Sequence, residues 1–160
     1  MSAFNENPFA VMTLIAAPAI MTNAASVLTL GTSNRLGRVV DRSRELAKIL
    51  HELEPTSYDH EVRIRQLDRL QRRSRTVVTA LTAFYFAIGS FAVAALVSLV
   101  GAALASSEYQ FGFRVAAVAG LVIGALGVGA LATGCTLLVF ETRLAVINLA
   151  EEADLARRGV

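Results

Sequence analysis

The sequence predicts an all-α integral membrane protein with three transmembrane helices and a long cytoplasmic helical hairpin between the first and second spans. Two observations carry this. The chain is 54% hydrophobic and 18% charged with a mean hydropathy of +0.54, which is too apolar for an ordinary soluble domain of 160 residues. Its charges are also gathered into blocks, whereas a soluble domain spreads them over the outer face of every element. The largest block, residues 34–75, holds eleven basic and seven acidic side chains, a net charge of +4, with one apolar segment before it and two after it. An excess of Lys and Arg marks a cytoplasmic loop. The other side offers only Arg114 beside Glu6 and Glu108, so the N-terminus is expected outside and the hairpin and C-terminus inside.

Residues 1–33 are read as an extracytoplasmic N-terminus and the first span. Met1 to Pro8 contain Glu6 and no Lys or Arg, so they lack the positive start of a secretory signal peptide, and the apolar run that follows is expected to be retained. The span itself, residues 9–33, is rich in polar side chains. Thr22, Ser26, Thr29 and Ser33 follow i, i+4, i+7, i+11, which sets four hydroxyls on one helical stripe. Two readings fit. The hydroxyls allow close helix contact and bond back to their own carbonyls, or they line a watery path. Pro18 removes a backbone donor and is expected to kink the helix between Ile15 and Asn23. Asn23 is the strongest polar marker in the span, because a bare amide in hydrocarbon costs a few kcal/mol (roughly 2–7) and must find a partner.

Residues 34–75 form the hairpin. Leu36, Val39, Ser43, Leu46, Leu50 and Leu53 are spaced by alternating steps of three and four, a heptad seam, and the charged residues fall mostly off it. Asp41 and Glu45 have basic neighbours one turn away, so local pairing is expected. The run from Glu54 to Asp59, with Pro55, Thr56 and Ser57, breaks the helix. From His60 to Arg75 a second arm returns with Ile64, Leu67, Leu70 and Ser74 inward.

Residues 76–140 hold the second and third spans. Ser90, Ala94, Ser98 and Ala102 make a ridge of small residues on one, and Ala116, Gly120 and Gly124 a matching ridge on the other, so the two are expected to lie close together. Ser106 to Gly112 is the extracytoplasmic turn, with Arg114 opening the third span. Glu141 and Arg143 mark its exit, and residues 141–160 form a cytoplasmic helix whose Glu151, Glu152 and Asp154 are balanced by Arg157 and Arg158.

Chemistry is sparse. There is no Walker loop, G-x-S-x-G elbow or H-E-x-x-H pair, so no enzyme is expected and no cofactor is implied. His51 and His60 flank the hairpin turn among Glu52, Glu54, Asp59 and Glu61, but their spacing fits no metal-ligand motif, and the metal assignment is none. Cys135 alone forms no disulfide within the chain and is read as a small packing residue. The arginines are assigned to topology and structure. Lipid, ions or anionic headgroups are the expected partners, not nucleic acid.

The runs Phe4-Asn5-Glu6-Asn7-Pro8-Phe9, Ala17-Pro18-Ala19-Ile20-Met21-Thr22-Asn23-Ala24 and Gly31-Thr32-Ser33-Asn34-Arg35-Leu36-Gly37-Arg38-Val39-Val40-Asp41-Arg42-Ser43-Arg44 resemble the domain of unknown function family numbered 2721. The resemblance is most specific in the first third of the chain. It implies a small bacterial three-pass inner-membrane protein, brings no particular activity with it, and directs attention to Pro18, Thr22, Asn23, Asn34, Arg35, Arg38, Asp41, Arg42 and Arg44.

The resulting expectation is a homo-oligomer in which Thr22, Asn23, Ser26, Thr29 and Ser33 line a narrow ion path, with Asn34, Arg35, Arg38, Asp41 and Arg42 at its cytoplasmic mouth. The alternative is an insertase-like or scaffold protein that docks partners on the hairpin. Its plan is similar to the three-span members of the membrane insertase superfamily, although no charge embedded in the membrane is evident.

Overall fold

A computed structural model describes residues 8–52, 58–105 and 110–157, and their side chains over 16–51, 60, 62–103 and 111–143. The described chain is helical throughout: α1 (Pro8–Glu52), α2 (Tyr58–Ala105) and α3 (Gln110–Arg157). Each helix joins an apolar stretch to a charged one without a break, so an arm of the expected hairpin and its adjoining apolar run are one element. The breaks expected at Glu54 to Asp59 and at Ser106 to Gly112 fall largely on residues 53–57 and 106–109, outside the described residues. The side chains of Glu151, Glu152, Asp154, Arg157 and Arg158, and those of Glu52, Glu54, Asp59 and Glu61, also lie outside them.

Two helical segments among the described residues, Val62–Ala103 and Phe111–Arg143, are long and apolar enough to cross a membrane. Their apolar side chains are displayed outward: Phe111 is 82% exposed, Leu121 74% and Leu96 62%. The described part of α1 falls short of that apolarity because Pro18, Thr22, Asn23, Ser26, Thr29, Thr32 and Ser33 interrupt it.

The inward positions share a period of 3.5 residues. On α2 the buried residues are Val77, Ala80, Phe84, Ala87, Phe91, Ala94, Ser98 and Gly101, a strict alternation of three and four joined by Ser90. On α1 the heptad seam is present, with Leu46 buried and Leu36, Val39, Ser43 and Leu50 half-buried. The same alternation extends back through Thr32, Thr29, Ala25, Thr22 and Pro18, all of them buried or half-buried. On α3, Gly120, Gly127, Gly134 and Glu141 recur every seventh residue and all are buried.

The chain divides into two compact units, Met1–Leu30 with Thr82–Thr133, and Gly31–Leu81 with Gly134–Val160. In the first unit, Ala25 of α1 meets Ala87 and Phe91 of α2, with Met21, Ile88, Ala130 and Leu131 packed around them. The small-residue ridges meet as expected. A Cβ on Gly101 would stand 3.1 Å from Ala116, one on Gly120 would stand 3.4 Å from the Ser98 hydroxyl, and one on Gly124 would stand 4.0 Å from Ala94. As the α2 number falls the α3 number rises, so the two helices run antiparallel here. Gly127 is the tightest point: its Cβ would come within 2.8 Å of the Phe91 ring and 3.1 Å of Ser90. Phe84 and Phe91, fully buried one heptad apart, supply the volume that the glycines and alanines leave open.

In the second unit the buried apolar residues are Leu46, Val77 and Ala80. Leu67, Leu70 and Ser74 are half-buried, as the return arm requires. Ile64 is 45% exposed, which departs from its expected inward place. The seam that ends at Val77 gives the reason. Counted back in steps of three, four and three, it passes through Ser74, Leu70 and Leu67, and the next step of four falls on the half-buried Arg63, which leaves Ile64 one residue off the seam.

A buried ion cluster as the candidate functional site

The polar feature best defined by geometry is a cluster on Glu141, in the second unit. Its carboxylate is only 5% exposed and is bound by arginines from two other helices. Arg73 of α2 donates from Nε at 2.9 Å and from Nη2 at 2.6 Å, both to Oε1. Arg35 of α1 brings Nη1 to 3.6 Å from Oε2, an ion pair rather than a hydrogen bond. The same Nη1 donates to the Thr142 hydroxyl at 3.2 Å. That hydroxyl has given its own proton to the Leu138 carbonyl at 2.8 Å, so its lone pairs are turned to use as acceptors.

The local sequence explains the arrangement. Glu141 continues the every-seventh-residue phase that carries Gly120, Gly127 and Gly134 inward, so a long acidic side chain occupies a position at which glycine stands three times before. A buried carboxylate without a cation would be untenable, and the planar guanidinium is the side chain suited to hold one through several N–H bonds. Among the described residues, no buried side-chain nitrogen or oxygen lacks a hydrogen-bond partner. Chemically the cluster is a clamp. Both oxygens of its carboxylate face guanidinium groups.

The residues singled out from sequence are placed as follows. Thr22 donates to the Pro18 carbonyl at 2.9 Å, Ser26 to the Thr22 carbonyl at 2.9 Å and Thr29 to the Ala25 carbonyl at 2.8 Å. This is the back-bonded state of the hydroxyl stripe. The stripe is also divided: Thr29 is buried, Thr22 and Ser33 are half-buried, and Ser26 is exposed. Asn23 is exposed, and its amide makes no hydrogen bond among the described residues. Pro18 is half-buried and α1 is helical on both sides of it.

Of the residues expected at a cytoplasmic mouth, Asn34, Arg38 and Asp41 are exposed, while Arg42 donates to Glu45 at 2.6 Å. Arg72 pairs likewise with Asp68 at 3.3 Å, and Thr79 donates to the Arg75 carbonyl at 2.9 Å. Arg35 is drawn to Glu141 and Thr142. His51 is exposed and His60 half-buried, and no three His, Cys, Asp or Glu side chains come together among the described residues. Cys135 is half-buried with a free thiol. Sequence reasoning placed Glu141 only as a marker of the span's exit. The heptad phase of the three glycines was the signal that assigns it inward.

No curated protein and no solved structure matches the chain. A family model described as "Protein of unknown function (DUF2721)" matches residues 15–151, a stretch that contains all three residues of the ion cluster and all of the polar stripe. On that match, covering most of its length, the chain belongs to the DUF2721 family.

Proposed function

We propose that this is a non-catalytic, three-pass protein of the bacterial inner membrane. Its N-terminus lies outside, residues 34–75 and the C-terminus lie inside, and it assembles with copies of itself through the outer face of α1. One observation carries the reading: the exposed amide of Asn23. It stands on a face with Ile20, 67% exposed, Val27, 64%, and Leu30, 65%, a surface suited to lipid except at that one residue. In hydrocarbon the amide needs a donor and an acceptor at once. A second Asn23 supplies both, and the small neighbours Ala19 and Ala24 let two helices approach closely.

In an assembly of more than two copies, Asn23 and the exposed Ser26 would face a common axis and form a narrow ion path. Arg38 and Arg42 follow on the same helix as its cytoplasmic mouth and favour anions. Back-bonding leaves the hydroxyl oxygens able to accept from water or coordinate an ion, so it is compatible with this use. The insertase-like or scaffold alternative draws instead on the exposed charged face of α1, formed by Arg38, Asp41, Arg44 and Lys48.

The test is a subunit count in lipid nanodiscs together with planar-bilayer recording. Wild type is expected as an oligomer and Asn23→Leu as a monomer. A monomeric wild type refutes the assembly. An oligomer that is silent at every voltage and pH removes the path and leaves the assembly. Stoichiometric capture of ribosomes or a soluble protein by the hairpin would put the alternative in its place.

A further inference from the structure

The Glu141 cluster holds one more positive charge than it needs. Two guanidiniums face one carboxylate, and Arg73 alone already supplies Oε1 with two N–H bonds and a full counter-charge. Arg35 adds only an ion pair at 3.6 Å and a bond to Thr142, both through Nη1. Its Nε and Nη2 donors, and Nη1 of Arg73, are engaged with neither Glu141 nor Thr142. The two arginine side chains are 46% and 36% exposed, in contrast to the buried carboxylate between them.

Each member also stands at the edge of its helix's apolar run. Arg35 comes just after Ser33, Glu141 immediately after Phe140, and Arg73 just before Thr76. In a chain that crosses the membrane as proposed above, this is the level of the lipid phosphates.

We infer that the uncommitted N–H edges of Arg35 and Arg73 form a binding site for a phosphate group, carried by an acidic phospholipid or free in solution. A tetrahedral phosphate oxyanion accepts paired N–H bonds from a guanidinium fork and neutralises the surplus charge that Glu141 leaves. Glu141 has a positioning part. It holds both forks at one place and keeps the site from accumulating two unbalanced cations. The inference rests on the membrane reading only for the lipid as source. It is independent of the oligomer and of the ion path.

The experiment uses the full-length protein in mild detergent. Its unfolding midpoint is followed while phosphatidylglycerol, phosphatidylcholine or inorganic phosphate is added, and its membrane association is measured separately by carbonate extraction. Phosphatidylglycerol is expected to raise the midpoint by about 5 °C, as a ligand specific to the folded state does at large excess over its Kd. Phosphatidylcholine is expected to raise it by less than half as much.

Arg35→Gln should lose most of that shift, because Arg73 remains on Glu141 and the fold is kept. Arg44→Gln, an exposed change on the same helix, should keep it. If Arg35→Gln gives no unfolding transition, Arg35→Lys takes its place. It retains the charge without the fork, and it should lose at least half of the shift. An Arg35-dependent response to inorganic phosphate as well as to lipid assigns the site to phosphate in general, and a response to lipid alone assigns it to headgroups. Equal shifts from the two lipids with no response to inorganic phosphate, or an Arg35 variant that responds as fully as Arg44→Gln, overturns the site. A chain that leaves the membrane in carbonate but still binds phosphate through Arg35 loses the membrane reading and keeps the site.

Discussion

The two units of the chain use the same α3 phase in opposite ways. In Met1–Leu30 with Thr82–Thr133, the inward position is Gly127, where a single added carbon would strike Phe91. In Gly31–Leu81 with Gly134–Val160, the phase passes from Gly134 to Glu141, a long charged side chain held by guanidiniums from α1 and α2. In a chain that crosses the membrane as proposed above, lipid tails are as apolar as leucine, so burial of apolar surface gives no preference for helix contact over lipid contact. What remains is close approach and dispersion. Where the helices carry charge, the available attraction is between ions, and a ring of donors around one carboxylate supplies both affinity and direction. The contrast separates cohesion by absence of side chain from cohesion by pairing of side chains.

The largest effect should come from the second kind. Glu141→Ala leaves Arg73 and Arg35 facing each other without an anion, and is expected to destabilise the protein by about 3 kcal/mol, at the low end for a broken buried pair because both arginines are partly exposed. Denaturant unfolding of the full chain in detergent measures it. In a cycle with Arg73→Ala, the coupling to Glu141 should exceed that of the cycle with Arg35→Ala, since Arg73 makes two short bonds and Arg35 one long contact. Equal couplings would show that the cluster acts as diffuse charge and not as a bonded clamp.

Close approach should be nearly as sensitive. Gly127→Ala is expected to cost about 1–3 kcal/mol by overpacking against Phe91 and Ser90. Gly129→Ala, two residues further along the same helix with nothing within 4 Å of its Cβ position, should be neutral or stabilise by up to about 1 kcal/mol through helix propensity. Similar values for the two would mean that the glycines serve flexibility and not packing, and the first half of the comparison would be lost.

Much of this was open to inspection in the sequence. The α1 seam from Leu36 to Leu50, the return-arm positions Leu67, Leu70 and Ser74, and the facing ridges of α2 and α3 all followed from spacing, because helix geometry turns sequence separation directly into a shared face. The ion cluster did not follow in the same way. Arg35, Arg73 and Glu141 are far apart in sequence, and nothing local pairs one arginine among eleven basic residues with a particular carboxylate. The buried phase of Glu141 was legible through Gly120, Gly127 and Gly134, but its partners depend on how three helices meet. The division of the hydroxyl stripe had the same cause. Thr22 and Thr29 fall on the 3.5-residue seam while Ser26 and Asn23 fall off it, a distinction that appears only when the seam is followed back from Leu36.

The smallest effect sets the scale for the others. Arg42 and Glu45 pair at 2.6 Å, as short as the closest contact of the buried cluster, yet their side chains are 58% and 60% exposed. Water solvates both partners whether or not they meet, so the pair should contribute only about 0.3–0.5 kcal/mol, and less as salt rises. A double-mutant cycle with Arg42→Gln and Glu45→Gln at low and high ionic strength measures this against the Arg73 and Glu141 cycle. Equal distance with several-fold different coupling would establish that burial of the carboxylate, and not the length of the bond, makes the second unit cohere through charge. Equal coupling would place both pairs at the surface in energetic terms, and Glu141 would then be no more than one of many solvated acids.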